Sequence, residues 1–130
     1  MEPKRYLVTG AMGCIGAWVV RNLVRDGHTA IALDASQDDH RLKLILESDE
    51  LRRLTVVHGD ITDLSLVEKT IKDHGVGHII HLAALQVPFC KANPTLGANV
   101  NVTGTVNIFE AAHRAGIQRV VYASSIGVLG

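Results

Sequence analysis

No stretch of this chain is apolar for long enough to cross a bilayer, so nothing in it reads as a membrane span. The amino terminus is charged from Met1 to Arg5 and then offers only four or five apolar residues. A secretory leader needs a longer apolar run and a small-residue cleavage site. Neither charge is in excess, because 13 Lys plus Arg balance 13 Asp plus Glu. That balance gives no electrostatic reason to expect nucleic acid or an anionic membrane as a partner. Cysteine is scarce: Cys14 and Cys90 stand far apart, without metal or redox spacing, which fits a reducing, cytoplasmic setting. Internal repeats and low-complexity tracts are absent. What remains is 130 residues, 47% hydrophobic and 20% charged. This is the balance of one globular domain, residues 1–130, with one modest core.

Short apolar runs alternate with helical periodicity five times. Tyr6-Leu7-Val8 ends at Thr9-Gly10, and Ala30 to Leu33 ends at Asp34. Leu54 to Val57 ends at His58-Gly59-Asp60, His78 to Leu82 is a fourth run, and Gln118 to Ser124 a fifth. Between them, Ile15, Trp18, Val19 and Leu23 recur at helical spacing up to a terminating Gly27. A helix over 39–53 is suggested by Leu42, Ile45, Leu46 and Leu51. Thr62 or Asp63 caps a helix with the stripe Leu64, Val67, Ile71, which His74-Gly75 ends. A loop containing Pro88 and Pro94 precedes a helix over 99–115, with the rows Val102, Val106, Phe109 and Asn101, Thr105, Ile108, Ala112, closed by Gly116. Continuous apolar strands alternating with helices predict a parallel sheet covered on both faces, a doubly wound α/β fold.

The turn Thr9-Gly10-Ala11-Met12-Gly13-Cys14-Ile15-Gly16 joins the first strand to the first helix. One glycine permits the tight turn, a second lets backbone approach a pyrophosphate, and a third lets helix and strand pack closely. The pyrophosphate of a dinucleotide would then rest on the free amides and positive dipole end of the helix starting near Cys14. Asp34 follows 18 positions beyond Gly16, at the end of the second strand. A carboxylate there accepts hydrogen bonds from the adenosine ribose hydroxyls and repels a 2′-phosphate. The next basic residue, Arg41, is seven positions on, so the expected cofactor is NAD rather than NADP.

The spacing Thr9, Gly10, Gly13, Gly16 resembles the extended short-chain dehydrogenase/reductases, the NAD-dependent epimerase/dehydratase family; generic two-domain dehydrogenases have one residue between the first two glycines. Gly59-Asp60-Ile61-Thr62-Asp63 resembles the family segment in which Asp60 would bind the adenine amino group and Ile61 would offer its backbone. His81-Leu82-Ala83-Ala84 looks like the segment that lines the dinucleotide, and Asn99 to Thr105 like the helix with the hallmark asparagine, here Asn101. Tyr122 to Gly130 resembles the fifth strand and the loop bearing the active-site hydroxyl, here Ser125, with Ser124 one step back. Where the family often has Val-Tyr-Gly, this chain has Val128-Leu129-Gly130, a departure that bears on substrate details.

The resemblance covers Tyr6 to Gly130 and implies the following. The cofactor-binding residues are Gly10, Met12, Gly13, Cys14, Ile15, Gly16, Asp34, Asp60, Ile61, Leu82, Ala83, Ala84 and Asn101, and the catalytic hydroxyls are Ser125 and Ser124. The chemistry is hydride transfer at a hydroxyl or ketone of a nucleotide-activated sugar or related polyol, in an enzyme expected to be a homodimer at full length. The family's general acid–base is a Tyr-x-x-x-Lys pair, the lysine lowering a tyrosine pKa of about 10. Tyr6 is followed four positions later by Gly10 and Tyr122 by Ile126, so neither has the lysine. The chain is therefore expected to be the NAD-binding part of a longer enzyme, truncated after the fifth strand and not competent for turnover alone. The alternative is a non-catalytic NAD-binding or sensing relative. In the strand order 3-2-1-4-5 that the resemblance implies, the fifth strand is expected to form a free edge that favours association.

Other candidates are weaker. His74, His78 and His81 are close in sequence, but His74 ends a helix, and residues three apart on a strand point to opposite faces, so no metal site is expected. Cys14 reads as a small side chain in the phosphate turn, Trp18 as the packing residue between first helix and sheet, and Glu47 to Arg53 as a solvated helix face.

Overall fold

The structure, a computed structural model, describes residues 2–129; Gly130, the last residue of the matched fifth-strand segment, and Met1 lie outside the described residues. Five strands form one parallel sheet in the order β3-β2-β1-β4-β5: β1 Arg5–Thr9, β2 Thr29–Asp34, β3 Thr55–His58, β4 His78–His81 and β5 Val120–Tyr122. Leu7 lies in register between Ile31 on one side and Ile79 on the other, all fully or almost fully buried. The apolar runs thus become strands that bury both faces. On one face Leu7, Ile31, Leu33 and Ile79 pack against Val67 and Ile71 of helix α4 (Leu64–His74) and Ile108 of α7 (Thr105–Arg114). On the other face Val8, Ala30 and Ala32 pack against Ala17, Val20 and Val24 of α1 (Cys14–Arg25) and Leu42 of α2 (His40–Ile45). Edge strand β3 departs from continuous burial: Val56 is exposed, because no helix covers its outer face.

Several elements differ from their sequence-based expectation, each for a packing reason. Helix α1 buries Gly16, Ala17, Val20 and Val24, a stripe of small residues that lets the helix sit close to the sheet. Trp18 is 48% exposed on its flank, with the Arg21 guanidinium 4.9 Å from its ring centroid, and does not pack helix to sheet. Residues 39–53 form two helices, α2 and α3 (Ser48–Arg53), because Leu46 and Glu47 turn to extended backbone between them. Glu50 is buried, not solvated: its carboxylate accepts from Arg25 Nε at 2.8 Å and from the Glu47 amide at 2.7 Å, completing a capping box. The loop around Pro88 and Pro94 is two short helices, α5 (Val87–Ala92) and α6 (Pro94–Ala98), each with its proline in the first turn, where the missing N–H costs nothing. Helix α6 runs through a π-helical stretch, Asn99–Gly104, into α7. Of the two rows, Ile108 and Ala112 face inward, whereas Val102, Val106 and Phe109 are 62%, 59% and 44% exposed. Strand β5 has three paired residues rather than seven, and Val121 and Tyr122 on this edge are exposed.

Asp63 caps α4 by accepting from the Leu66 amide, and Gly75 ends that helix at φ +58°. No helix among the described residues is long and apolar enough to cross a membrane.

The Glu50–Arg25 contact ties α3 to α1. The Arg25 side chain, then the Glu47 amide, holds the Glu50 carboxyl below its usual value of 4.5. A carboxyl depressed in the folded state stabilises the fold above its unfolded pKa, and that contribution disappears as pH falls through the folded value. Glu50→Gln is therefore expected to lower the urea midpoint at pH 7 and to converge with the parent chain as pH falls through the lowered folded-state value of the carboxyl. An equal difference at pH 7 and below that value would show that the carboxylate charge is not what matters.

Candidate functional site

A cleft of about 810 Å³ opens at the carboxyl ends of the strands, where the strand order reverses between β1 and β4. Crossovers there leave to opposite faces, so the loops part and a crevice forms. Its floor is the glycine turn. Gly10 has φ +69°, and its amide donates to Leu33 O at 3.0 Å, anchoring the turn to β2. A Cβ on Gly16 would stand 2.0 Å from Gly10 O, and one on Gly10 would stand 2.8 Å from the Ala83 amide nitrogen. Neither position has room for a side chain. Gly13 starts α1 without any side-chain cap, and its first turn carries no acidic residue. The first amides of α1 are therefore open to an anion, with the helix dipole behind them.

Asp34 stands beside this floor. One carboxylate oxygen accepts from the Met12 amide at 2.8 Å and the other from the Ser36 amide at 2.9 Å. The carboxylate thus orders the glycine turn as well as facing the cleft. Arg41 donates to Met12 O at 3.3 Å and lines the cleft with Asp38, although seven positions separate it from Asp34. Asp38 is held below the usual carboxylate range by the His40 amide and then by the His40 ring.

One helical run fixes the opposite wall. Asn101 accepts from the Leu85 amide at 2.7 Å and donates to the Leu85 carbonyl at 3.0 Å. Asn107 donates to the Ile61 and Thr62 carbonyls, both at 3.0 Å. A Cβ on Gly104, at the junction of the π-helical stretch and α7, would stand 2.5 Å from the Ile61 side chain, so the helical run seats directly on that residue there. Asp60, at the end of β3, accepts from the Thr62 amide at 2.9 Å. Thr9 Oγ1 accepts from the Leu82 and Ala83 amides at 3.1 and 3.2 Å.

Of the residues singled out in the sequence, Gly10, Met12, Gly13, Cys14, Ile15, Gly16, Asp34, Asp60, Ile61, Leu82, Ala83 and Ala84 all line this one cleft. Asn101 stands behind it and grips the backbone of Leu85, which does line it. Ser124 and Ser125 lie past the end of β5, beyond Ala123, the residue of that segment that reaches the cleft. Both are exposed, and Ser125 Oγ accepts from the Gly127 amide at 3.1 Å. Sequence reasoning missed Ser36, Arg41, Gln86, Phe89 and Leu96. Arg41 is brought in by α2, and Phe89 and Leu96 by α5 and α6, elements that had no clear periodicity.

Fold and site together define a doubly wound α/β domain with a nucleotide-sized cleft at its switch point. Comparison with known proteins narrows this. The sequence profile of the NAD dependent epimerase/dehydratase family matches residues 6–130. The chain is 37% identical over 124 residues to the UDP-glucose 4-epimerase of Mycolicibacterium smegmatis, covering 95% of this chain and 39% of that one. It is 30% identical over 128 residues to a UDP-glucose 4-epimerase of Klebsiella pneumoniae, covering 97% of this chain and 92% of that one. Among solved structures, the Thermus thermophilus UDP-glucose 4-epimerase in complex with NAD superposes with a TM-score of 0.79 at 28% identity, over 93% of this chain and 37% of that one. The chain belongs to the NAD dependent epimerase/dehydratase family. It spans less than two-fifths of the length of the Mycolicibacterium and Thermus proteins.

The close approach at Gly16 makes a sharp expectation. Gly16→Ala should cost roughly 1–3 kcal/mol or more in denaturant unfolding, because the clash is with backbone that cannot move aside. Gly27→Ala, at φ +82° with nothing within 4 Å, should cost about 1 kcal/mol through backbone conformation alone. Equal losses at the two positions would contradict the packing role given to Gly16.

Proposed function

We propose that the cleft binds NAD and that the chain is the cofactor-holding part of a nucleotide-sugar epimerase or dehydratase-type oxidoreductase. The observation that carries this reading is the pairing of an uncapped helix N-terminus with the Asp34 carboxylate across one glycine turn. The first suits a pyrophosphate and the second a ribose diol. The NAD-containing relative of known structure and the family's NAD dependence support it. Gly10, Gly13 and Gly16 would let the pyrophosphate reach the α1 amides, Asp34 would hold the adenosine ribose, and Asp60 with Ile61 the adenine. Leu82, Ala83 and Ala84 would line the nicotinamide side, on a loop that Asn101 holds in place. Bound there, NAD supplies a site for hydride at the nicotinamide ring. Ser125, with Ser124 beside it, would hydrogen-bond the substrate oxygen.

Asp34 and Asp38 on the ribose side favour NAD over NADP, since a 2′-phosphate would meet two carboxylates and one guanidinium. The substrate class inferred is a nucleotide-activated sugar or related polyol. UDP-glucose is named with several relatives, including an epimerase structure from Thermotoga maritima solved with that compound. Neither tyrosine has a lysine four positions on, so no residue of this chain is assigned the proton transfer, and the chain alone is inferred to bind without turnover. A homodimer in the longer form is supported by the exposed row Val102, Val106, Phe109, which runs from the π-helical stretch onto α7. The free cysteines Cys14 and Cys90 suit a cytoplasmic setting.

Calorimetry of the 130-residue chain tests the reading. NAD should bind saturably and NADP more weakly. Asp34→Asn keeps an acceptor for the Met12 amide but loses the charge, and should weaken NAD by about 10- to 100-fold, the range for hydrogen bonds to a charged group. Equal affinity for both cofactors, unchanged by Asp34→Asn, would rule out the ribose assignment.

A further inference from the structure

Behind the cleft wall, three side chains from three elements meet: Thr9 of β1, His81 of β4 and Thr105 of α7. His81 is fully buried, its ring stacked on Tyr122 of β5 at 5.6 Å between centroids. Its Nδ1 is 2.6 Å from Thr9 Oγ1 and its Nε2 is 2.9 Å from Thr105 Oγ1. Proton positions follow from counting donors. A threonine hydroxyl has one proton and two lone pairs. The lone pairs of Thr9 Oγ1 face two amide protons, that of Ala83 and that of Leu82, which is shared with the Thr9 main-chain carbonyl at 3.2 Å. Its proton must therefore point to His81 Nδ1, which has to be bare. The ring's own proton then sits on Nε2 and is donated to Thr105.

We propose that His81 is a positioning residue, locked as the neutral Nε2–H tautomer, which through Thr9 sets the Leu82 and Ala83 amides that form the cofactor wall. The groups facing the ring, Thr9, Thr105 and Tyr122, bring no carboxylate, ammonium or guanidinium to it. Burial alone pushes the ring's pKa down to about 4. Protonating Nδ1 would put two donors face to face and force the Thr9 hydroxyl away from one of the amides it accepts. The Gly10 floor would be disturbed with it, because Gly10 lies against the Ala83 backbone. The positioning role rests on the cofactor reading of the cleft; the tautomer does not.

The first test is nitrogen-15 NMR of histidine-labelled full chain, titrated from pH 8 to pH 5. His81 should show a protonated Nε2 and a bare Nδ1 throughout. A proton on Nδ1, or a midpoint near the ordinary histidine value of about 6.5, would overturn the proposal. The second test is NAD calorimetry on Thr9→Val and His81→Phe, the latter keeping the stack on Tyr122. Each should weaken NAD about tenfold, the double variant no further, and Thr9→Ser should restore affinity to within about twofold. A double variant weakened by the product of the two, or a His81→Phe with full affinity, would overturn it. The expected tautomer in a chain without NAD affinity would defeat the cofactor reading, and with it the positioning role.

Discussion

Everything in the cleft depends on how closely three stretches of backbone meet at the end of β1. Gly10 lies against Ala83, and Gly16 against Gly10 O, at separations where a single Cβ does not fit. That double contact sets the start of α1, the height of the Leu82–Leu85 loop and the mouth of the crevice. It is enforced from both sides. Gly10 is hydrogen-bonded to β2 through Leu33, and β4 is joined to Thr9 through Leu82 and Ala83. Closely packed backbone thus forms the floor of the cleft, so a change that loosens it bears on stability and on the cleft alike.

The electrostatics are built on that floor. An uncapped helix presents partial positive charge, and Asp34 presents negative charge a short distance away while bonding the Met12 amide of the same turn. The far wall hangs on one helical run. Asn101, Thr105 and Asn107 reach respectively to Leu85, His81 and the Ile61–Thr62 carbonyls, so a single element sets the ends of β3 and β4 relative to each other. The π-helical stretch Asn99–Gly104 lies within this run, and wide turns of this kind recur near functional sites. A shift of α7 would move the loops after β3 and β4 together.

Much of this was legible in the sequence. Apolar runs such as Tyr6-Leu7-Val8, and glycines spaced as Gly10, Gly13, Gly16, report backbone constraints that are local, so the strands, the cleft position and Asp34 followed from them, whereas the strand order came with the family resemblance. What escaped depends on tertiary partners. Trp18 looks like the anchor of α1, yet close packing selects Ala17 and Val20 and leaves the indole outside. Glu50 reads as one charge in a solvated run until Arg25 of another helix neutralises it. The segment around Pro88 and Pro94 lacks the length for periodicity to speak, so Phe89 and Leu96 went unnoticed as lining residues. Arg41 is distant from Asp34 in sequence and joins its site only because α2 folds back over the glycine turn. Ser124 and Ser125 rest on resemblance, and their loop stands outside the cleft lining.

The central claim is that the switch-point cleft holds a dinucleotide in one orientation, with adenosine toward Asp34 and nicotinamide toward Ala83. Amide chemical-shift mapping of the full chain with added NAD, compared with added AMP, tests it most directly. Both ligands should shift the amides of Met12, Asp34 and Ile61, and NAD alone should also shift those of Leu82 to Leu85. Shifts confined to the opposite end of the sheet, around Lys4, His78 and Arg119, or identical maps for the two ligands, would contradict the account.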